Sequence, residues 1–304
     1  MTETDSRVAA IPAEPDSIIR PGERRALAAA LVTVTLWASA FIGIRSAGEE
    51  LSPGALSLGR LLIGSLLLGA LALRRGEALP SRSDLRRIGL CGLLWFGIYN
   101  VALNAAEQRV DAGTAAMLVN VGPVFIAVLA GVLLREGFPR GLVVGCAVAL
   151  AGVGMIGLGT SSGGLSASWG AVLCVVAALA YAGGVVAQKP VLARVSALQL
   201  TWLACMAGAL ACLPFAPVLV SEFGDAGTSA IAWTVYLGAF PTAVAFTTWA
   251  YALARTSAGR MGSTTYLVPP LAILMGWAFL AETPPSIAIL GGALCLGGVA
   301  LARR

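Results

Sequence analysis

Ten apolar stretches separated by short polar loops constrain this chain more than any other feature of its sequence. Each is about as long as the roughly 20 residues that an α-helix needs to cross a bilayer. They lie at 26–45, 54–73, 88–107, 113–134, 140–159, 168–188, 198–219, 229–250, 261–281 and 286–302. Only 12% of the residues are charged, against roughly 25% in an average soluble domain. We therefore predict an all-α polytopic membrane protein with ten transmembrane helices.

The distribution of basic residues supports this topology, because cytoplasmic loops of membrane proteins are enriched in Lys and Arg. Seventeen of the 20 basic residues lie at the termini or in loops on the same side as the termini. Arg109 alone lies on the other side, and Arg45 and Arg60 lie inside apolar stretches. The net charge of +5 therefore indicates topology, not nucleic-acid binding. We predict a plasma membrane (bacterial inner membrane) protein with both termini in the cytoplasm.

Residues 1–25 differ in composition from the rest of the chain. They are polar, contain proline and carry both charges. They lack the basic start and the apolar core of a secretory signal. We interpret them as a disordered cytoplasmic tail.

The second half of the chain repeats the first. When residues 106–153 are aligned with 252–299, 13 of the 48 positions are identical, and these include the pair Pro123 and Pro269. The preceding segments align less well, at a similar offset. The chain is therefore predicted to contain one five-helix unit twice.

Five is an odd number of helices, so the second unit must enter the membrane in the opposite orientation. We predict a first five-helix domain at 26–159 and a second, inverted one at 168–302. Inverted repeats of this kind are typical of transporters, in which two similar halves alternate about a site near the midplane. The alternative is a duplicated structural bundle that transports nothing.

An ordered set of residues recurs in both halves. It comprises Trp37 to Phe41, Pro53, Arg60, Ala115, Pro123 and Glu136, followed by Tyr181, Thr201, Pro269 and Glu282. With the ten apolar stretches, this set resembles the drug/metabolite transporter superfamily, and specifically proteins with two EamA-type domains. The chain departs from the usual pattern at Tyr181, where the first half has Trp, and at the double proline that Pro270 completes. The resemblance implies ten helices, a central cavity between the halves, and export or exchange of small metabolites.

Polar residues recur on one face of the third apolar stretch. Asn100, Asn104 and Gln108 follow one another at intervals of four, and Tyr99 is adjacent to them. Polar side chains inside membrane spans usually face a cavity or a partner helix. We expect these four to line the substrate route. The alternative is that they form hydrogen bonds between helices, which are worth about 0.6 kcal/mol each.

Two prolines interrupt corresponding apolar stretches of the two halves. Asn120 lies three residues before Pro123, and Tyr266 lies three residues before Pro269. Proline removes a backbone hydrogen bond, which a membrane helix tolerates where a cavity or a neighbour satisfies the freed carbonyl. We predict a hinge at Pro123, Pro269 and Pro270, with Asn120 and Tyr266 in the substrate cavity. The alternative is simple kinks that serve packing.

Aromatic residues could stack on a planar or cationic solute. The candidates are Trp37, Phe41, Tyr181, Trp249, Tyr251 and Tyr266. Trp37 lies in the middle of its stretch, and Trp95 is also central. Other aromatic residues are expected to anchor the protein at the membrane interface.

Charged residues narrow the chemistry further. Glu107, Glu136 and Glu282 are expected at the ends of spans, and the chain contains no histidine. This favours facilitated efflux or exchange over tightly proton-coupled transport. For Arg60 we favour a structural role over anion binding. The six cysteines lack CxxC spacing, and we predict no metal, cofactor or catalytic residue.

The sequence favours a secondary transporter that exports or exchanges amino acids or related small metabolites. Alternatives are efflux of drugs and other cationic compounds, or another small-solute permease. An integral membrane enzyme and a non-transporting scaffold are less favoured. The expected partners are a small-molecule solute and the lipid bilayer, without nucleic acid. The sequence leaves open whether the protein is a monomer or a homodimer.

Overall fold

The protein is helical throughout the part of the chain that the structure, a computed structural model, describes: residues 21–133, 140–161, 164–255 and 264–301. Its helices are α1 (Pro21–Ala47), α2 (Pro53–Arg75), α3 (Arg82–Glu107), α4 (Ala112–Val119), α5 (Gly122–Leu133), α6 (Arg140–Ser161), α7 (Gly164–Gln188), α8 (Ala197–Ala211), α9 (Ala216–Asp225), α10 (Thr228–Leu253), α11 (Val268–Leu280) and α12 (Ser286–Leu301). α3 and α10 each contain a π-helical segment, at Gly92–Ile98 and Gly238–Val244. The prediction of an all-helical chain is confirmed over these residues.

Among the described residues, five helices are long and apolar enough to cross a membrane. They are α1, α2, α3, α7 and α10. The pair α8 and α9 provides a sixth span if its 53° bend lies within one crossing. Four further apolar helices are shorter, at Ala112–Ile126, Val143–Ile156, Thr265–Leu280 and Ser286–Gly298. The protein is thus a multi-pass membrane protein, while ten spans in inverted repeats stay a prediction.

Two predictions, the tail at 1–25 and the position of Glu136, fall partly or wholly outside the described residues. α1 begins at Pro21, within the range predicted for the tail, and residues 1–20 lie outside the described part. So do Glu136 and the residues between α5 and α6.

Helix ends are marked by local sequence signals. Ser81 Oγ accepts a hydrogen bond from the backbone N–H of Asp84 at 3.2 Å, and caps the start of α3. Asp111 caps α4 and Ser196 caps α8 in the same way. Such caps satisfy N–H groups that have no partner within the helix. Short polar loops therefore fix where each helix begins.

Close packing of α2 against α10 depends on glycine. A Cβ at Gly64 would lie 2.9 Å from Thr242 Cγ2, and a Cβ at Gly238 would lie 2.7 Å from the carbonyl oxygen of Arg60. Helix backbones in membranes approach closely where such small residues meet. This approach brings Arg60 beside the π-helical segment of α10.

Candidate functional site

A cavity lies at the centre of the bundle, between α1, α2, α3, α4, α7, α10 and the turn before α11. Its volume is about 60 Å³, which is room for a few water molecules. Five of the predicted site residues lie on its wall: Trp37, Phe41, Tyr99, Asn120 and Tyr181. Both halves of the chain contribute to this wall. It is therefore the candidate functional site.

Six of the fifteen described residues on the wall are aromatic. The ring centroids of Trp95 and Tyr181 are 5.0 Å apart, and those of Trp95 and Phe246 are 4.9 Å apart. Trp37 lies 5.4 Å from Phe246. Trp95 and Phe246 were not among the site residues predicted from the sequence, although the central position of Trp95 in its apolar stretch was a signal. The sequence gives no comparable signal for Phe246.

Two glycines allow the aromatic rings to lie at the cavity. A Cβ at Gly122 would clash with the ring of Tyr181, which covers the gap between α4 and α5. A Cβ at Gly184, on α7, would lie 2.5 Å from the Cβ of Trp95. Because neither glycine has a side chain, α7 packs closely against α3 and α5, and its tyrosine reaches the cavity.

The two proline-containing elements are both interrupted next to the cavity. α4 ends at Val119 and α5 begins at Gly122, so Pro123 is the second residue of a new helix. The turn Thr265–Leu267 precedes α11, where Pro269 and Pro270 fill early positions. Proline is tolerated there, since the first N–H groups of a helix lack a partner within it. Whether these interruptions act as hinges stays a prediction.

A hydrogen bond joins the two interruptions directly. Asn120 Nδ2 donates to the carbonyl oxygen of Thr265 at 3.1 Å, and both residues lie on the cavity wall. Both residues are buried. The interrupted elements of the two halves are therefore coupled to each other at the cavity.

Among the described residues that line the cavity, Arg60 is the only charged one. The residue is only 3% exposed. Its Nε donates to Thr242 Oγ1 at 3.2 Å. A positively charged group thus faces a space whose other described wall residues are neutral and mainly apolar or aromatic.

The polar residues of α3 lie elsewhere in this conformation. Asn104 Nδ2 donates to Ser57 Oγ at 2.9 Å, and Gln108 Nε2 donates to the carbonyl oxygen of Gly48 at 3.0 Å. Asn100 donates to a carbonyl within its own helix, that of Phe96, at 2.7 Å. None of the three lines the cavity. These are hydrogen bonds within and between helices, and their place on a substrate route stays a prediction.

Two predicted aromatic residues are also off the cavity wall. Trp249 is buried behind Trp37, with ring centroids 5.0 Å apart. Tyr266 packs instead against the apolar cluster that contains Val121 and Val124. The residue before it, Thr265, takes the position at the cavity.

Polar contacts tie the helices together where α1 ends and α2 begins, which we call the Glu282 end. Arg45 Nε donates to Glu282 Oε1 at 2.7 Å, and Arg45 Nη1 donates to the carbonyl oxygen of Glu107 at 2.6 Å. Glu282 Oε2 also accepts from the backbone N–H of Ala112 at 3.4 Å. These contacts join α1, α3 and α4 to the loop between α11 and α12. They close the bundle at this end.

At the opposite end, which we call the Arg194 end, two side-chain contacts join described loops and helix ends. Arg194 Nη2 donates to Asp84 Oδ1 at 2.5 Å, and Ser196 Oγ donates to Glu77 Oε2 at 2.6 Å. The first links the start of α3 to the turn after α7. The second links the loop after α2 to the start of α8.

Glu107 is the last residue of α3, at the helix end where the sequence places it. It is only 1% exposed, and neither of its carboxylate oxygens has a hydrogen-bond partner among the described residues. Its burial could not be read from the sequence, because a helix boundary does not reveal which neighbouring helices cover a side chain.

Comparison with known proteins identifies the family. The sequence profile of the EamA-like transporter family matches twice, at residues 24–158 and 168–304. A "Probable terminal-alkyne amino-acid exporter" of Streptantibioticus cattleyicolor is 39% identical over 283 residues, which is 92% of this chain and 94% of that protein. The "Uncharacterized transporter YdfC" of Bacillus subtilis is 34% identical over 266 residues, 88% of this chain and 87% of that protein.

One solved crystal structure has a similar fold. Its TM-score is 0.63 at 21% sequence identity, with 91% of this chain and 96% of that chain covered. At this identity the similarity concerns the fold alone. The two profile matches and the two relatives confirm the resemblance that the sequence suggested, and the chain belongs to the EamA-like transporter family.

Proposed function

We propose that this protein is a secondary transporter of the plasma membrane that exports or exchanges amino acids or related small metabolites. The observation that carries the proposal is the central cavity, to which both halves of a transporter-family chain contribute. Aromatic rings, one arginine and one asparagine provide apolar, charged and neutral polar contacts for a small zwitterion. The similarity to a probable amino-acid exporter supports the same solute class.

The mechanism that we propose is alternating access by two inverted five-helix repeats in a ten-span protein. The bias of basic residues assigns the Arg194 end to the cytoplasm and the Glu282 end to the outside. The bond between Asn120 and Thr265 links the interrupted elements of the two halves, so movement of one half is transmitted to the other. A midplane site between inverted repeats has the required geometry.

A second candidate is efflux of cationic compounds, since aromatic rings attract cations. The buried guanidinium of Arg60 on the same wall opposes it, because like charges repel strongly where water is excluded. We therefore favour solutes that carry a carboxylate.

Transport is tested with the purified full-length protein in liposomes. We expect counterflow of radiolabelled amino acids above the rate of protein-free liposomes. Ala116→Phe, which adds a ring to the cavity wall, should abolish it. The matched control Leu66→Phe adds the same ring at a side chain that is 73% exposed on the outside of the bundle, and should leave flux unchanged. Absence of flux for every amino acid, with folded protein, would contradict the proposal.

A further inference from the structure

We propose that Arg60 is the anion subsite of the cavity and binds the carboxylate of the transported solute. On this assignment the substrates are monocarboxylates, with α-amino acids as the main class. The inference rests on the proposed transport function and adds the chemical group that the cavity recognises. It replaces the structural role that the sequence alone favoured for this residue.

The first argument is the cost of an isolated buried charge. Arg60 is 3% exposed, and it takes part in none of the ion pairs among the described residues, which are Arg45–Glu282, Arg75–Glu77 and Arg194–Asp84. A buried charge is costly unless it is paired and hydrogen-bonded. Intramembrane ionisable residues therefore tend to mark substrate or ion pathways. A ligand carboxylate would supply the missing partner.

The second argument is how the guanidinium is held. Its Nε donates to Thr242 Oγ1 at 3.2 Å, while the two Nη groups donate no hydrogen bond to any described residue. Thr242 is itself fully buried, in the π-helical segment of α10. This bond holds the Nε side of the guanidinium and leaves both Nη groups available to a ligand. Two parallel N–H donors match a carboxylate bidentately.

The third argument is the composition of the remaining wall. Apart from Arg60, none of the described wall residues is charged, so one negative group on the solute is balanced and a second is not. Trp37 and Tyr181 present aromatic rings to the same space. A ring face attracts an ammonium group, which gives the amino end of a zwitterion a place away from the arginine.

Within the protein itself, Glu107 is the alternative to a ligand carboxylate as the partner of Arg60. Its carboxylate is buried and without a hydrogen-bond partner, but it is not within ion-pair distance of Arg60. If the two paired in another conformation, Arg60 would serve the conformational cycle and not recognition. The test below separates these two roles, because only recognition depends on the carboxylate of the solute.

The test measures binding through tryptophan fluorescence, since Trp37 and Trp95 lie on the cavity wall. The probes are L-leucine and L-propargylglycine, each compared with its carboxamide, which lacks the negative charge. We expect the wild type to bind each acid at least about tenfold more tightly than its amide. Arg60→Gln should weaken acid binding about 30-fold, which corresponds to one buried charged hydrogen-bonded pair, and remove the preference. Arg255→Gln, at an exposed arginine, should change neither value.

Arg60→Lys keeps the charge and loses the planar fork, so we expect an intermediate affinity with the preference for acids retained. If Arg60→Gln does not give a monodisperse protein, the test is made with Arg60→Lys. Equal binding of acid and amide by the wild type would overturn the proposal. An unchanged preference for acids in folded Arg60→Gln would also overturn it. The same holds if the wild type binds neither of the two probes nor any common amino acid.

Flux measurements on the same preparations distinguish the two proposals. Wild-type flux with no preference for acids over amides retains the transport function and overturns the anion subsite. Binding that prefers acids and depends on Arg60, without flux in liposomes, retains the subsite and overturns the transport function.

Discussion

Two groups of polar residues differ in what their hydrogen bonds connect. On α3, Asn104 and Gln108 donate to Ser57 and to the loop after α1, and so hold neighbouring helices together. On the cavity wall, Arg60 makes one side-chain bond and no ion pair among the described residues, and Asn120 bonds across the two interrupted elements. A polar side chain that bonds to a neighbouring helix stabilises packing, whereas a buried group with spare donors marks a place for a ligand. The four predictions below test this difference.

The largest expected effect is at Asn120. Asn120→Leu removes the donor to the carbonyl of Thr265, which keeps its bond from the backbone N–H of Val268, and the loss of one buried hydrogen bond costs up to about 1.5 kcal/mol. If that cost falls on the transport cycle, flux should decrease about tenfold while the protein stays folded. Counterflow in liposomes measures this. Unchanged flux would show that the link between the halves is not used in transport.

A smaller effect is expected at Trp37, compared with Trp249. Trp37 lies on the cavity wall and Trp249 behind it. Trp37→Leu should weaken amino-acid binding about fivefold, the range of a partly desolvated cation–π contact. Trp249→Leu should lower the melting temperature and leave affinity nearly unchanged. Binding is followed by scintillation proximity, since both variants alter tryptophan fluorescence. If Trp249→Leu weakened amino-acid binding more than Trp37→Leu, the assignment of Trp37 to the cavity wall and of Trp249 to the layer behind it would be contradicted.

The ion pair at the Glu282 end should influence access to the cavity. Arg45→Gln removes the bonds to Glu282 and to the carbonyl of Glu107. Partly exposed pairs contribute up to about 1 kcal/mol, so opening at this end should increase about threefold. The measurement is the rate at which a membrane-impermeant maleimide labels a cysteine introduced at Ala40, on the cavity wall.

Arg75→Gln provides the matched control for this experiment. It removes an exposed pair with Glu77, at 3.9 Å, near the opposite end of the bundle. We expect this variant to be labelled at the same rate as the protein that carries only the introduced cysteine. An equal increase in both variants would indicate general loosening of the bundle and not a contact that closes the Glu282 end.

The smallest effect on transport is expected at Asn104. Asn104→Leu removes bonds to Ser57 Oγ and to the carbonyl of Pro53. Such bonds between membrane helices are worth about 0.6 kcal/mol each, so the free energy of unfolding should fall by about 1 kcal/mol. Flux should stay within about twofold of the wild type if these bonds serve only packing. A large loss of flux at normal stability would indicate that Asn104 lines the substrate route, as its position in the sequence suggested.

Helix positions were largely predictable because the bilayer imposes length and composition on each apolar stretch. α1 and α2 overlap the predicted stretches almost completely. The interruption at Asn120 was also signalled, since proline three residues later disrupts the helical hydrogen bonds. The bend between α8 and α9 was not predicted, although Pro214 lies within it, because the apolar stretch continues through it.

The cavity residues were predictable only in part. Trp37 and Asn120 were recognised from their central positions, and both line the cavity. Phe246 and Thr265 were missed, because an apolar or hydroxyl residue in a membrane helix is compatible with any face. Arg60 was noticed, but its burial against α10 depends on close packing at Gly64 and Gly238, which no local pattern reveals.

By itself the sequence determined that this protein is helical, spans a membrane several times and belongs to a transporter family. Those properties follow from local hydrophobicity, from loop charges and from residues repeated at a fixed offset. Only the tertiary structure decided which polar residues face the cavity and which join helices. The physical reason is that a helix presents polar side chains to whatever lies opposite, and the packing of the other helices determines whether that is a partner or a space.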